Sequence, residues 1–236
     1  MSLEVTRTER VLHIALNRPE KRNALNGALC EALAGTIDAA SSDGSVGAIV
    51  LSGNGPVFSA GMDLSETEDY AAIHERLFTA IDRATKPLIA AVHGAALAGG
   101  MGLAANAHIV MAHPATRFGL SEIRIGLWPV LVFRAVVLAI GERRATELSI
   151  TGRMFEAAEG REYALVTEIS DDPLKRALEV ASEVSAWSAS AMEAGLKYSR
   201  AIRGMDWQEA GRAGQTTRAA LMSHPDFQNA TAKFRK

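Results

Sequence analysis

The chain has 236 residues, 48% of them hydrophobic and 22% charged, with a formal net charge of −2. That length holds one substantial core, or a core with a smaller lobe, and the balanced charge gives no reason to expect a nucleic acid or an anionic membrane as partner. Cys30 is the only cysteine, which excludes an intramolecular disulfide and a CxxC metal knuckle, so no metal site is expected.

"MSLEVTRTER" is polar and charged, with no apolar core, so it does not read as a secretory signal. "EVTRTERVLHIALNR" reads as two short strands around a Thr-Glu-Arg turn. In "NGALCEALAGTIDAA" the four-residue recurrence of Leu25, Leu29, Leu33 and Ile37 predicts one face of an amphipathic helix. "VGAIVLSG" is a continuous apolar run, the pattern of a strand buried on both faces. A second helix is predicted over "AAIHERLFTAIDRA", with Ile73, Leu77 and Ile81 on one face, followed by buried strands "PLIAAVHG" and "HIVMA". This alternation argues for right-handed βαβ crossovers and an α/β fold. Beyond about residue 120 the texture is mostly helical, with a stripe of Leu174, Ala177, Leu178, Ala181 and Val184 and a last helix opened by Pro225. Apolar stretches are all interrupted short of about 18 residues, so no transmembrane helix is expected and a cytoplasmic protein is the default.

Two stretches with little side chain stand out. "GAALAGGMGLAAN" contains Gly100-Met101-Gly102-Leu103-Ala104-Ala105, which fits GxGxxA. A dinucleotide site also needs an acidic residue at the end of the next strand; "HIVMAHP" offers none, so NAD(P) is disfavoured. What stays open is a tightly packed helix or a helix N-terminus whose free N–H groups face a ligand. "GNGPVFSAGMDL" follows a buried strand, where α/β loops tend to place ligands. It is not a nucleophile elbow, because Val57 stands where G-x-S-x-G needs glycine.

Taken together with "LNRPEKRNAL", "KPLIAAVHGAALAGGMGL" and "RFGLSEIRIGLWP", these stretches are similar in order and spacing to the enoyl-CoA hydratase/isomerase, or crotonase, superfamily, from about residue 3 to about residue 234. The resemblance implies a crotonase-like spiral of ββα units carrying the acyl-CoA site over 1–172. A helical C-terminal region follows at 173–236, used for assembly as a homotrimer or a dimer of trimers. It implies an acyl-CoA thioester as substrate, with coenzyme A entering as part of it and no permanently bound cofactor. The implied oxyanion hole is the pair of backbone N–H groups of Met62 and Gly99. Implied contacts to the thioester fall on Arg22, Ala24, Ala60, Asp63, Leu64, Gly100 and Trp128; the basic cluster Arg18, Lys21 and Arg22 reads either as a contact to the CoA phosphates or as a solvated loop.

Family hydratases carry two glutamates. The first position is occupied here by Gly102; the second is Glu122 in "FGLSE". Syn hydration needs one group to activate water and another to deliver a proton, whereas moving a double bond needs one group that takes a proton at one carbon and returns it at another. The expected function is therefore enoyl-CoA double-bond isomerisation through Glu122. Hydration, another reaction of the superfamily, and a catalytically weakened acyl-CoA-binding protein are the alternatives. Trp128 and Val130 to Phe133 replace a small, flexible run of the relatives and are expected to reshape the acyl pocket. His93 and His108 read as core histidines, with His93 the better candidate for a spare base. The segment between Asp63 and Lys86 is slightly short and leaves substrate size open.

Overall fold

The computed structural model describes residues 2–66 and 71–234, with the side chain of Lys233 outside the description; four residues of the short segment after Asp63, 67–70, lie outside the described residues. Strands β1 (Leu3–Thr8) and β2 (Val11–Leu16) form the predicted antiparallel hairpin, with Glu9 at φ 52 in its turn. β3 (Ala48–Gly53), β4 (Leu88–Val92), β6 (Ile109–Ala112) and β9 (Glu168–Ile169) add in parallel, giving a six-stranded sheet in the order β1-β2-β3-β4-β6-β9. β3 and β4 are buried at every residue, as expected of strands covered on both faces.

One face is covered by α1 (Gly27–Ser42), α2 (Ala71–Asp82) and α3 (Gly99–Asn106), whose Leu29, Leu33, Ile37, Leu77, Ile81 and Leu103 are fully buried. The other face is covered by α7 (Pro173–Ser185): Ala177 and Ala181 pack with Val50, Ile89, Ala91 and Met111 in a second apolar cluster. The stripe at 174–184 thus closes the sheet.

Three local outcomes differ from the sequence reading. Leu25 is not on α1; Asn26 caps that helix through its side chain, and Leu25 pairs in a parallel bridge with Met62. A short strand, β5 (Ala95–Leu97), precedes α3 and pairs in parallel with β7 (Arg117–Gly119), which pairs with β8 (Met154–Glu156) in a second sheet. The long apolar run after Pro129 divides at Gly141 (φ 79) into α4 (Val130–Ile140) and α5 (Glu142–Thr151). A short α6 (Ala157–Glu162) links β8 to β9. The chain ends in α8 (Ala189–Ala201), α9 (Trp207–Ser223) and α10 (Pro225–Thr231), none of which has a buried residue. Among the described residues no helix is long and apolar enough to cross a membrane.

Candidate active site

The two side-chain-poor stretches lie against each other. Ser59 bridges Ala96: its N–H donates to the Ala95 carbonyl (3.1 Å) and its carbonyl accepts from Leu97 N–H (3.0 Å). A Cβ on Gly100 would lie 2.4 Å from the Ser59 carbonyl oxygen, so only glycine permits that approach. At Gly61 the chain turns through φ 93, a region open to glycine. Leu25 then holds the turn on both sides of Met62, its N–H donating to Gly61 O (2.7 Å) and its carbonyl accepting from Asp63 N–H (3.1 Å).

That pairing turns the Met62 N–H away from Leu25, toward the start of α3. A Cβ on Gly99 would be 3.8 Å from the Met62 nitrogen, and one on Gly61 3.2 Å from the Gly99 nitrogen. Neither N–H has a backbone acceptor among the described residues, and Gly99, as the first residue of the helix, has no intrahelical acceptor. Ala98, immediately before it, stands at φ 49, ψ −119, a conformation rarely adopted by a residue with a Cβ. It is held there by Ala98 N–H donating to Gly119 O (2.8 Å) and by Gly102 N–H donating to Ala98 O (3.0 Å).

The first of those bonds ties the donor pair to the carboxylate. Gly119 ends β7, and three residues later a single 3₁₀ turn, Glu122–Ile125, stops at Gly126 (φ 79). Glu122 faces a cavity of about 210 Å³ that Met62, Ala98 and Gly99 also line. Trp128, Leu131, Val132, Leu25 and Phe78 give it a largely apolar lining, which His74 also joins. Trp128 is tilted against Phe133 at 5.8 Å between ring centroids. Burial pushes the Glu122 carboxyl above its ordinary value, partly offset by a hydrogen bond from its own backbone N–H. Its Oε2 is the single buried side-chain nitrogen or oxygen without a hydrogen-bond partner among the described residues.

The position of the absent first glutamate is closed. A Cβ on Gly102 would meet Val132 Cγ1 at 2.3 Å, Val132 Cβ at 2.6 Å and Phe78 Cε1 at 3.2 Å. Val132 occupies the space into which any side chain at 102 would grow.

The implied thioester contacts divide. Ala60 and Leu64 line the cavity, Leu64 being largely exposed. Ala24 is buried, and Arg22 is exposed at φ 52 with its carbonyl accepting from Ala60 N–H (2.9 Å). The side chain of Asp63 turns inward: Oδ2 is 2.9 Å from Arg18 and Oδ1 accepts from Ser65 Oγ (2.6 Å). The Ser65 hydroxyl foremost, with Arg18 adding to it, holds the Asp63 carboxyl below its ordinary value. Arg18 also donates to Ala24 O (2.6 Å). Its guanidinium is thus engaged inside the fold, which removes it from the basic cluster expected at the surface and leaves Lys21 and Arg22 exposed there.

Of the histidines, His108 is not the core residue expected: it is exposed beside a second cavity, with Leu88 N–H donating to its Nδ1 (3.0 Å). His93 is bonded at Nε2 to Gly55 O (2.8 Å) and does not line the cavity, so it is not the spare base expected there. The histidine that does is His74, buried at 5% exposure. The available signal was its place in α2 at one turn and two turns before Leu77, Phe78 and Ile81, a polar residue on an apolar stripe.

A layered α/β core with two backbone donors and one half-buried carboxylate around an apolar cavity is the crotonase fold. The chain belongs to the enoyl-CoA hydratase/isomerase family, whose model matches residues 6–235, and is an acyl-CoA enzyme of that family. It is 37% identical over 201 residues to the 2,3-dehydroadipyl-CoA hydratase of Escherichia coli, covering 81% of this chain and 79% of that one. It is 32% identical over 227 residues to the mitochondrial Delta(3,5)-Delta(2,4)-dienoyl-CoA isomerase of Rattus norvegicus, covering 84% and 69%. The crystal structure of an enoyl-CoA hydratase from Mycobacterium smegmatis superposes with a TM-score of 0.93 at 29% identity, over 100% of this chain and 97% of that one.

Proposed function

We propose that the protein isomerises the double bond of an enoyl-CoA thioester, with Glu122 as its single acid–base group. The Met62 and Gly99 N–H groups receive the thioester oxygen. Glu122 takes a proton from the carbon next to the carbonyl, and the electron pair left behind is delocalised onto that oxygen. The same carboxyl returns the proton two carbons further along, converting a 3-enoyl to a 2-enoyl thioester. Backbone donors aimed at a developing oxyanion are worth roughly 3 to 4 kcal/mol each, and they need no help from a metal or a resident cofactor; coenzyme A comes with the substrate. Lys21 and Arg22, both exposed, are assigned in this reading to its phosphates.

The observation that carries this reading is Val132 filling the space beyond Gly102. Hydration needs a second carboxylate, and here the wall that would carry it is aliphatic. Hydration is the second reading, favoured by the 37% identical relative named as a hydratase. Assembly as a homotrimer or a dimer of trimers is part of the proposal, supported by the exposed aromatic residues of the C-terminal region, Trp187 and Trp207.

Separate incubation with 3-enoyl-CoA and 2-enoyl-CoA, followed by chromatographic separation of the isomers with mass detection, decides between the two. Interconversion without a change of mass is expected from either substrate. Addition of water to 2-enoyl-CoA at an ordinary enzymatic rate would overturn the isomerase reading.

A further inference from the structure

We propose that His74 is a positioning residue for the Met62 donor of the oxyanion hole, acting through the Leu25 carbonyl; the inference rests on the oxyanion-hole reading above.

The Leu25 carbonyl carries two hydrogen bonds. One comes from Asp63 N–H at 3.1 Å, the other joins it to His74 Nε2 at 3.2 Å. A carbonyl offers two lone pairs, and a carbonyl only accepts. Nε2 must therefore carry the ring proton, and this contact fixes that nitrogen as the donor. With Leu25 N–H donating to Gly61 O at 2.7 Å, three hydrogen bonds converge on one backbone unit. Two of them bracket Met62 and the third comes from α2.

Leu25 also reaches the second donor. Its Cδ1 is 3.0 Å from where a Cβ of Gly99 would stand, and it is fully buried. A displacement of Leu25 thus moves the Met62 N–H directly and loosens the packing under Gly99. A donor that is off by a fraction of an ångström loses much of its worth, because the benefit depends on distance to the developing charge.

The same geometry explains why a polar residue stands on the apolar stripe of α2. Leu77, Phe78 and Ile81 on that stripe pack into the core. A buried imidazole among them is stable only if its polar atoms are bonded, and the acceptor for Nε2 is the one carbonyl that holds the Met62 turn.

His74→Phe keeps a ring and removes the donor; His74→Gln keeps a donor able to reach the carbonyl. Two readouts separate positioning from folding. One is the kcat and KM for 3-enoyl-CoA. The other is the red shift of a 3-aryl-2-enoyl-CoA on binding, which reports polarisation of the thioester carbonyl. For His74→Phe we expect kcat to fall about tenfold with KM within about twofold, together with a smaller red shift. His74→Gln recovers most of both. The acid limb of the kcat/KM profile stays in place in both variants, since it belongs to Glu122. If His74→Phe does not fold, His74→Met serves as the donor-free variant. Full kcat and full red shift without the donor would overturn the proposal, as would His74→Gln being impaired as deeply as His74→Phe. A moved acid limb would also overturn it, by making His74 a proton carrier. Absence of any red shift in the wild-type protein would instead sink the oxyanion-hole reading, and the positioning role with it.

Discussion

The Oε2 of Glu122 accepts no hydrogen bond from the described residues, so ionising that carboxyl in the folded chain replaces water by an apolar wall. Desolvation of this kind favours the protonated form. The sign for stability follows. Below the ordinary glutamate pKa the group is neutral in both the folded and the unfolded chain, and nothing is lost. As the pH rises past it, the unfolded chain ionises while the folded chain holds its proton, so stability falls until the raised folded value is passed, then levels off. Glu122→Gln is immune to this. The variant should unfold at about the same temperature as the wild type at about pH 4 and at a higher temperature near neutrality, a difference that scanning calorimetry across the window measures. Its kcat should be lower by about 10³-fold. Equal melting temperatures at every pH would show that the carboxyl is solvated in the folded protein. Ala98 shows the same trade in the backbone. Its φ of 49 is worth about 1–3 kcal/mol of strain, held by its bond to Gly119 and directing the next N–H into the cavity.

Between elements, the decisive contact is α3 against α4. A glycine inside a helix is disfavoured relative to alanine by about 1 kcal/mol, which on propensity alone makes Gly102 a poor choice. Packing wins, because a Cβ there would be 2.3 Å from Val132 and overpacking of a core costs about 1–3 kcal/mol. Gly102→Glu should therefore destabilise the protein by about 3 kcal/mol, measured by urea unfolding, and should not install hydration. Adding Val132→Ala should recover part of that loss; a stable single variant would show that α4 yields easily. The elements themselves were largely readable. The hairpin, the buried runs at 48–53 and 88–92 and the stripe at 174–184 follow from apolar periodicity alone. β5 escaped because three residues of "GAALAGG" have no period to detect, and their strand state depends on a partner more than twenty residues later. Leu25 was misplaced because it continues the spacing of α1, while the Asn26 cap that excludes it is a matter of backbone geometry. In the site, the backbone donors and Glu122 were legible as motif positions. The inward turn of Arg18, the plug at Val132 and the entry of His74 were not, because each depends on an element distant in sequence folding onto the motif.

At the scale of the molecule, the surface is uneven. Trp187, in the turn between α7 and α8, and Trp207, at the start of α9, are 66% and 93% exposed, in a chain with only three tryptophans. α8 and α9 bury no residue of their own; α9 starts with a capping box between Asp206 and Glu209 and meets α8 through Tyr198, whose hydroxyl donates to Ala210 O (3.2 Å). A helix of this kind gains little from propensity; most helical stability comes from an apolar face docked on something else. A fully buried tryptophan is a large apolar gain, roughly 25 cal/mol for each Å² removed from water, and leaving two in solvent forfeits that gain. Association of copies through this region would cover them without any change in the core that carries the site. Sedimentation equilibrium of the wild-type protein should then give three or six times the monomer mass, with Trp fluorescence shifted to the blue as protein concentration rises. Trp207→Asp places a charge in the same contact and should lower the association constant by at least about 100-fold, equivalent to about 2.7 kcal/mol. The hairpin and the parallel sheet should keep their far-ultraviolet signature in that variant. A wild-type protein that sediments as a monomer at all concentrations, with red-shifted fluorescence, would refute the assembly and leave the exposed tryptophans to another partner.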